Sequence, residues 1–253
     1  MHQVLTAGLW GLVGGSALIL GAAIPYLVTL PQRVIAAVMA IGSGVLISAV
    51  AFDLMDEAYA QGGFDSTAAG FVGGAAVYTL ANIMVSRQGA RHRKRSGSNP
   101  HEKQPDAAAN SGLAIAIGAL LDGIPESVVI GTSLLSGGGV SAVMVAAVFL
   151  SNVPEGLASA AGMKQSGRSP AYVFGVWIAI ALASGLAAMI GNAALAGAAP
   201  DILAAVTAIA AGAILAMLVD TMIPEATEST HDYSGMIAVI GFLAAFILTK
   251  LDG

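Results

Sequence analysis

Long apolar runs recur along the whole chain, and they constrain its fold more than any other feature. Eight of them are close to the ~20 residues that cross roughly 30 Å of hydrocarbon. They cover residues 4–28, 34–55, 68–86, 112–135, 140–163, 170–192, 202–223 and 235–251. Only α-helices and closed barrels satisfy every backbone group in lipid, and runs without alternation of polar and apolar residues exclude the barrel. The sequence predicts an all-α membrane protein, a bundle of eight transmembrane helices in one domain covering residues 1–253.

The composition agrees with a protein that lies mostly in a bilayer. Hydrophobic residues make up 57% of the chain and charged residues 10%, whereas soluble domains carry about 25% charged residues. The 32 glycines are expected to let helices pack closely. Cysteine is absent, which excludes disulfide and thiolate chemistry. The first run is too long for a signal-peptide core and is expected to be a retained first span.

The distribution of Lys and Arg predicts the orientation, because basic loops favour the cytoplasmic side. Lys250 alone would face the outside if both termini lie outside. The residues that would then face the cytoplasm are Arg33, Arg87, Arg91, Arg93, Lys94, Arg95, Lys103, Lys164 and Arg168. We therefore expect both termini outside a plasma (inner) membrane and basic loops in the cytoplasm.

The longest loop, residues 87–111, is polar and basic and is predicted to be flexible. Its run RHRKR can indicate nucleic acid binding in other settings. Beside a membrane, such a run more commonly sets topology and contacts anionic membrane lipid. The sequence therefore predicts a lipid contact here and no nucleic acid partner.

Three apolar segments carry acids next to proline: LDGIPES, LSNVPEG and VDTMIPEAT. An ionisable residue inside a span is costly, so each of these acids is a functional-site hypothesis. Proline has no N–H and displaces the carbonyl four residues earlier. Pro125, Pro154 and Pro224 should therefore each leave a bare carbonyl oxygen near a carboxylate.

Spacing places the polar residues of spans 4 and 5 on common helix faces. Asp122 and Glu126 are four residues apart, as are Ser151 and Glu155, while Asn152 and Glu155 are three apart. Their similar depth would bring like charges together, and a bound cation is the simplest way to stabilise them. As an alternative, Asp122 could cap a helix that restarts near the proline, but this leaves the two glutamates unexplained.

Further acids mark a route on either side of this site. Asp53, Asp56 and Glu57 would form an outer entrance, Asp220 and Glu225 would extend the metal site in span 7, and Glu228 and His231 would form an exit. Asp220 is expected to face protein, whereas the outer and inner groups could equally be solvated span ends. The stretches AFDLMDEA and LVDTMIPEA align with one gap in oppositely directed spans. This favours an inverted repeat of spans 1–3 and 6–8 around spans 4–5.

At these residues the chain resembles the ZIP (Zrt/Irt-like) family of divalent metal transporters. The family motif His-Asn-x-Pro-Glu-Gly of span 4 is here Asp122-Gly123-Ile124-Pro125-Glu126-Ser127, and the span 5 motif is Ser151-Asn152-Val153-Pro154-Glu155-Gly156. The resemblance implies eight spans, both termini outside, and metal ligation by the two matching glutamates. The span 4 motif is divergent, since an aspartate stands at the position of the histidine.

The resemblance implies transport of a divalent transition metal toward the cytoplasm, with Zn, Mn or Fe as the substrate. Because no histidine lies within a span, the site is rich in oxygen, which favours Mn, Fe or Mg over Zn and one ion over two. A homodimer is compatible with this fold. We expect no enzyme; a non-transporting metal sensor or a cation channel are the alternatives, and an intramembrane hydrolase is less favoured.

Overall fold

The computed structural model describes residues 1–96, 112–136, 142–228 and 232–252, and within these ranges the chain forms helices and turns without a strand. Three π-helical turns and one 3₁₀ turn connect or extend the α-helices. The α-helices in these ranges are α1 (His2–Leu27), α2 (Gln32–Ala49), α3 (Met55–Val85), α4 (Gly112–Ser133), α5 (Ala142–Gln165), α6 (Pro170–Leu195), α7 (Pro200–Met217), α8 (Ile223–Glu228) and α9 (Ser234–Asp252).

Seven helical segments of the described residues are long and apolar enough to cross a membrane. Many of their large apolar side chains, such as Leu9, Val72 and Ile190, are exposed on the protein surface. In water such a surface would be unfavourable, but it matches the hydrocarbon of a bilayer. The chain is therefore an all-α integral membrane protein, as the sequence predicts.

The number of spanning segments differs from the predicted eight. Predicted spans 2 and 3 fall within one helical segment, Gln32–Ala90, which is 59 residues long. The polar stretch between them, which we expected to form a loop, stays helical except at Gly63, where φ is 68° and ψ is −174°. Glycine can adopt this backbone conformation without a Cβ clash. A single glycine therefore interrupts the segment where the sequence predicts a connecting loop.

The helices pack in a small number of extensive pairs. Helix α3 packs mainly on α7, and α2 packs mainly on α9. Helix α1 packs on both α5 and α6, and α4 packs on α6. Helices α4 and α5, which carry the predicted metal ligands, each contact a different set of partners and lie inside the bundle.

Glycines permit the close approach within these pairs. A Cβ added to Gly44 of α2 would collide with the carbonyl oxygen of Ala238 in α9, and one added to Gly241 of α9 would collide with that of Ile41 in α2. The pairs α3–α7 and α1–α5 show the same reciprocal arrangement. Close packing of small residues supplies contact energy that lipid-exposed helices cannot gain by a hydrophobic effect.

The first ten residues of the predicted flexible loop, 87–96, lie within the described part of the chain. After α3 the chain forms a π-helical turn, Ser86–Ala90, and then turns back through residues 91–96. Arg93, Lys94 and Ser96 are buried there. The two basic side chains find acidic partners inside the bundle. Residues 97–111 lie outside the described part of the chain.

Candidate cation site

Asp122 lies in the middle of α4 and is 1% exposed. The Arg93 guanidinium donates to both of its oxygens, from Nε to Oδ2 at 2.9 Å and from Nη2 to Oδ1 at 2.8 Å. The Tyr78 hydroxyl of α3 also donates to Oδ1, at 2.7 Å. Because α4 is continuous from residue 112 to 133, Asp122 does not cap a restarted helix. It is held by a bidentate ion pair, the strongest carboxylate geometry available to arginine.

Arg93 is held on all sides. Its Nη1 donates to Asn82 Oδ1 at 3.0 Å, and its own carbonyl accepts a hydrogen bond from the Ser159 hydroxyl at 2.8 Å. Gly118 of α4 makes room for the side chain, since a Cβ there would lie 2.6 Å from Arg93 Cδ. Burial disfavours the charged guanidinium, but the charge and hydrogen bonds of Asp122 outweigh this and raise the pKa of Arg93 above its ordinary value.

Lys94 connects α4 with α5. Its ammonium lies 3.2 Å from Asp122 Oδ2 and 3.1 Å from Glu155 Oε1, and it also contacts Met217 Sδ of α7 at 3.1 Å. The side chain is 3% exposed. One cation therefore bridges carboxylates from two different helices, as expected for acids at equal depth in adjacent spans.

Glu126 is the third acid of the cluster that contains Asp122 and Glu155. Unlike the other two carboxylates, it forms no hydrogen bond or ion pair with the described residues. The residue is 2% exposed, and among the described residues neither of its carboxylate oxygens has a hydrogen-bond partner. It interacts electrostatically with Glu155, Lys94 and Asp122. An ionised carboxylate is an acceptor only, and burial without a partner is costly. This side chain therefore needs a proton or a cation in direct contact with its oxygens, which the described residues do not provide.

Ser151 and Asn152, two predicted ligands in α5, are buried and already form hydrogen bonds. The Ser151 hydroxyl donates to the Val148 carbonyl of its own helix at 2.9 Å. The Asn152 amide donates to the Gly14 carbonyl of α1 at 3.0 Å. The amide of Asn152 thus fixes α5 against α1 and leaves its carbonyl oxygen as the group that can face a cation.

Glu225 forms a second buried site, distinct from the first. It is 1% exposed, and its Oε1 accepts hydrogen bonds from Ser96 N at 3.0 Å, from the Ser96 hydroxyl and from Gln32 Nε2 at 3.1 Å. Glu228, one turn further along α8, pairs with Arg95. The structure therefore brings these two acids to the basic turn and not to the Glu126 cluster.

Asp220 is exposed, whereas the sequence predicts that it faces the protein interior. It lies in the π-helical turn Leu218–Met222 and is exposed, although its Oδ2 accepts a hydrogen bond from Asn82 Nδ2 at 3.1 Å. The extra residue of the π turn rotates the helix face, so the aspartate lines a surface cavity of about 370 Å³ that Arg87 and Arg91 also line. Asp220 does not join the Asp122 cluster.

The predicted entrance residues lie apart from the cluster. Asp53 accepts a hydrogen bond from Thr249 of α9 at 3.3 Å, and Gln61 donates to Glu57 at 3.0 Å. Asp56 is exposed. His231 lies outside the described residues.

Among the described residues, no three side chains of the types His, Cys, Asp and Glu lie close enough together to hold a metal ion. The Lys94 ammonium lies between the Asp122 and Glu155 carboxylates. A metal would therefore have to take the place of this ammonium and draw the carboxylate oxygens inward.

The sequence analysis missed the groups that neutralise the acids. Tyr78 and Asn82, four residues apart in the apolar α3, were a readable signal, because polar groups at that spacing share a helix face. Arg93 and Lys94 gave no such signal, since a basic run beside a membrane normally stays solvated.

A scan against protein-family models and a search of curated proteins found no match to this chain.

Proposed function

We propose that this protein transports a divalent transition-metal cation across the membrane through the site formed by Asp122, Glu126, Asn152 and Glu155. The observation that supports this most is Glu126, whose carboxylate is 2% exposed and has no hydrogen-bond partner in the part of the chain that the structure describes. Such a group is destabilising in a bilayer protein unless it has a functional partner. It interacts electrostatically with two acids, Glu155 and Asp122, and with one base, Lys94, so a bound cation would offset the excess of negative charge.

Charge counting favours a divalent ion. If Lys94 leaves the cluster, the three carboxylates face only the Arg93 guanidinium, and the formal charge is −2. One divalent cation neutralises this charge, whereas two would leave an excess of positive charge. The donors are carboxylates and an amide, which suit hard and borderline ions such as Mn²⁺ and Fe²⁺ and leave Zn²⁺ as a weaker substrate. The resemblance of the Pro-Glu motifs to ZIP transporters supports the same substrate class.

Transport, as opposed to static binding, is supported by the arrangement of the helices. Exchanging α1 with α6, α2 with α7, α3 with α9 and α4 with α5 relates the packing pairs to one another. The pair α1–α5 becomes α6–α4, and the pair α2–α9 becomes α7–α3. The aligned Asp53 and Asp220 both lie in π-helical turns. Such an exchange is the signature of an inverted repeat, which underlies alternating access in many secondary transporters.

The length of the Gln32–Ala90 segment supports an eighth span. Its 59 residues would extend about 88 Å at 1.5 Å per residue, far more than a bilayer of about 30 Å can cover. The break at Gly63 divides the segment into two stretches that can each cross the membrane. With eight spans, the Lys and Arg distribution places the turn of residues 86–96 in the cytoplasm and transport is directed toward it.

Uptake of metal into proteoliposomes tests the proposal. Wild-type protein is expected to take up Mn²⁺, and Glu126→Gln and Glu155→Gln are each expected to lower the rate by about 10- to 100-fold, because each removes a charged ligand. Asp65→Asn is the matched control, since Asp65 is an exposed acid outside the cluster. Wild-type flux in both glutamate variants would overturn the site.

The same assay separates a transporter from a sensor or a channel. Saturable uptake that depends on both glutamates supports a transporter. Metal binding without uptake would instead identify a sensor, and uptake that rises linearly with metal concentration would identify a channel. A panel of Zn²⁺, Mn²⁺, Fe²⁺, Cd²⁺ and Mg²⁺ would test the substrate preference, and strong preference for Zn²⁺ would contradict the expected hard-ion selectivity.

A further inference from the structure

We propose that residues 93–96 form an autoinhibitory plug that competes with the metal ion for Asp122 and Glu155. This inference rests on the proposed function and concerns its regulation. The plug belongs to the turn after α3 and enters the bundle from one end. Three of its four residues, Arg93, Lys94 and Ser96, are buried.

The plug pairs with acids at two levels of the bundle. Arg93 and Lys94 contact the acids of the cation site, Asp122 and Glu155. The next two plug residues, Arg95 and Ser96, contact Glu228 and Glu225 at the end of the segment formed by α7 and α8. The plug therefore covers the cation site, Glu225 and the predicted exit residue Glu228, so an ion could not leave by this route while the plug is in place.

Lys94 takes the position that a bound cation would need. Its ammonium bridges a carboxylate of α4 and a carboxylate of α5, at 3.2 Å and 3.1 Å. Carboxylate oxygens cannot coordinate a metal at 2.0–2.6 Å and hold an ammonium between them at the same time. Binding of the two cations is thus mutually exclusive. With Lys94 in place the cluster keeps a formal charge of −1, which is too small for a divalent ion.

Hydrogen bonds between uncharged groups also hold the plug in place, independently of the ion pairs. The Ser159 hydroxyl of α5 donates to the Arg93 carbonyl at 2.8 Å, and Gln165 Nε2 donates to the Ser96 carbonyl at 2.8 Å. Gln32 Nε2 of α2 donates to the Ser96 hydroxyl at 2.7 Å. These contacts make the plugged form a defined state and offer a way to loosen it without changing the charge of the site.

The plug lowers the apparent metal affinity by the fraction of molecules in which the site is open. If the plugged form outnumbers the open form by about ten to one, Lys94→Met should tighten metal binding by about tenfold. Gln165→Ala, which removes one neutral anchor, should tighten it by about fivefold. Arg91→Gln removes an exposed charge from the same turn and should leave the affinity unchanged. Calorimetric titration of the purified full-length variants with Mn²⁺ measures these shifts.

Cysteine labelling gives a readout that does not depend on affinity, because the natural chain has no cysteine. Ser96 is 0% exposed, so Ser96→Cys should react slowly with a soluble maleimide in metal-free protein. Saturating Mn²⁺ should accelerate the reaction several-fold by displacing the plug. Arg91→Cys, at an exposed position, should react at the same rate with and without metal.

Two outcomes would overturn the plug while leaving the transporter proposal intact. The first is Mn²⁺ uptake that depends on Glu126, together with unchanged affinity in both Lys94→Met and Gln165→Ala. The second is Ser96→Cys labelling that does not respond to bound metal. Failure of the transporter proposal is recognised separately, because wild-type protein would then show no saturable uptake of Mn²⁺ into proteoliposomes, whether or not it binds the ion. Tighter binding in Lys94→Met and Gln165→Ala, with metal-dependent labelling, supports the plug.

Discussion

Asp122→Asn is expected to destabilise the metal-free protein by about 3 to 5 kcal/mol, the usual effect of removing one partner of a buried ion pair. The substitution keeps the shape of the side chain but leaves the Arg93 guanidinium, 2% exposed, without a counter-charge at 2.8 Å. The amide nitrogen that replaces one oxygen would also face an N–H donor. Thermal unfolding in detergent micelles with a chelator measures the change, and Asp65→Asn should show less than about 0.5 kcal/mol because that residue is exposed.

The double variant Asp122→Asn/Arg93→Met separates a pair interaction from a packing defect. With the guanidinium also removed, no unpaired charge remains, and most of the stability lost in Asp122→Asn should return. Lys94 still has Glu155 as a partner in this background. Additive destabilisation in the double variant would contradict the assignment of Arg93 as the counter-ion of Asp122.

Glu126→Leu is expected to act in the opposite direction and stabilise the metal-free protein by about 2 kcal/mol. Its carboxylate is buried and accepts no hydrogen bond from the described residues, so an apolar side chain of similar size removes a desolvation penalty without breaking a hydrogen bond. Glu225→Leu is the matched contrast. Glu225 is equally buried but accepts hydrogen bonds from Ser96 and Gln32, so its replacement should destabilise the protein.

Opposite signs for these two buried glutamates would show that Glu126 is retained for binding and not for stability, as expected at functional sites. The midpoint of thermal unfolding, measured for both variants in the presence of a chelator, gives the comparison. If Glu126→Leu destabilised the protein as much as Glu225→Leu, the Glu126 carboxylate would have to make stabilising contacts in the metal-free protein, which would contradict this assignment.

The fold class could be predicted from the sequence because lipid leaves the backbone few choices. Apolar runs of the required length correspond to helices throughout the described chain. The connection between predicted spans 2 and 3 could not be predicted, because polar residues such as Gln61 and Asp65 resemble a loop by composition yet continue the helix. Only the positive-φ backbone at Gly63 interrupts it.

The acids of the candidate site were also predictable, but their partners were not. Pro-Glu pairs in apolar spans identify Glu126 and Glu155 directly, since a charge there needs a reason. The entry of Arg93 and Lys94 into the site depends on long-range contacts with α4 and α5. No local pattern in a basic run distinguishes a solvated loop from one that folds back onto buried acids. The exposure of Asp220 could not be predicted either, because its orientation depends on a π turn that the sequence pattern does not indicate.

Calorimetric titration of purified protein with Mn²⁺ tests most directly whether the buried carboxylates hold a divalent cation. Wild-type protein and Asp65→Asn are expected to bind one ion per chain, and Glu126→Gln is expected to bind about 10- to 100-fold more weakly. Binding by Glu126→Gln with the affinity and stoichiometry of the wild type would contradict a metal site at this carboxylate.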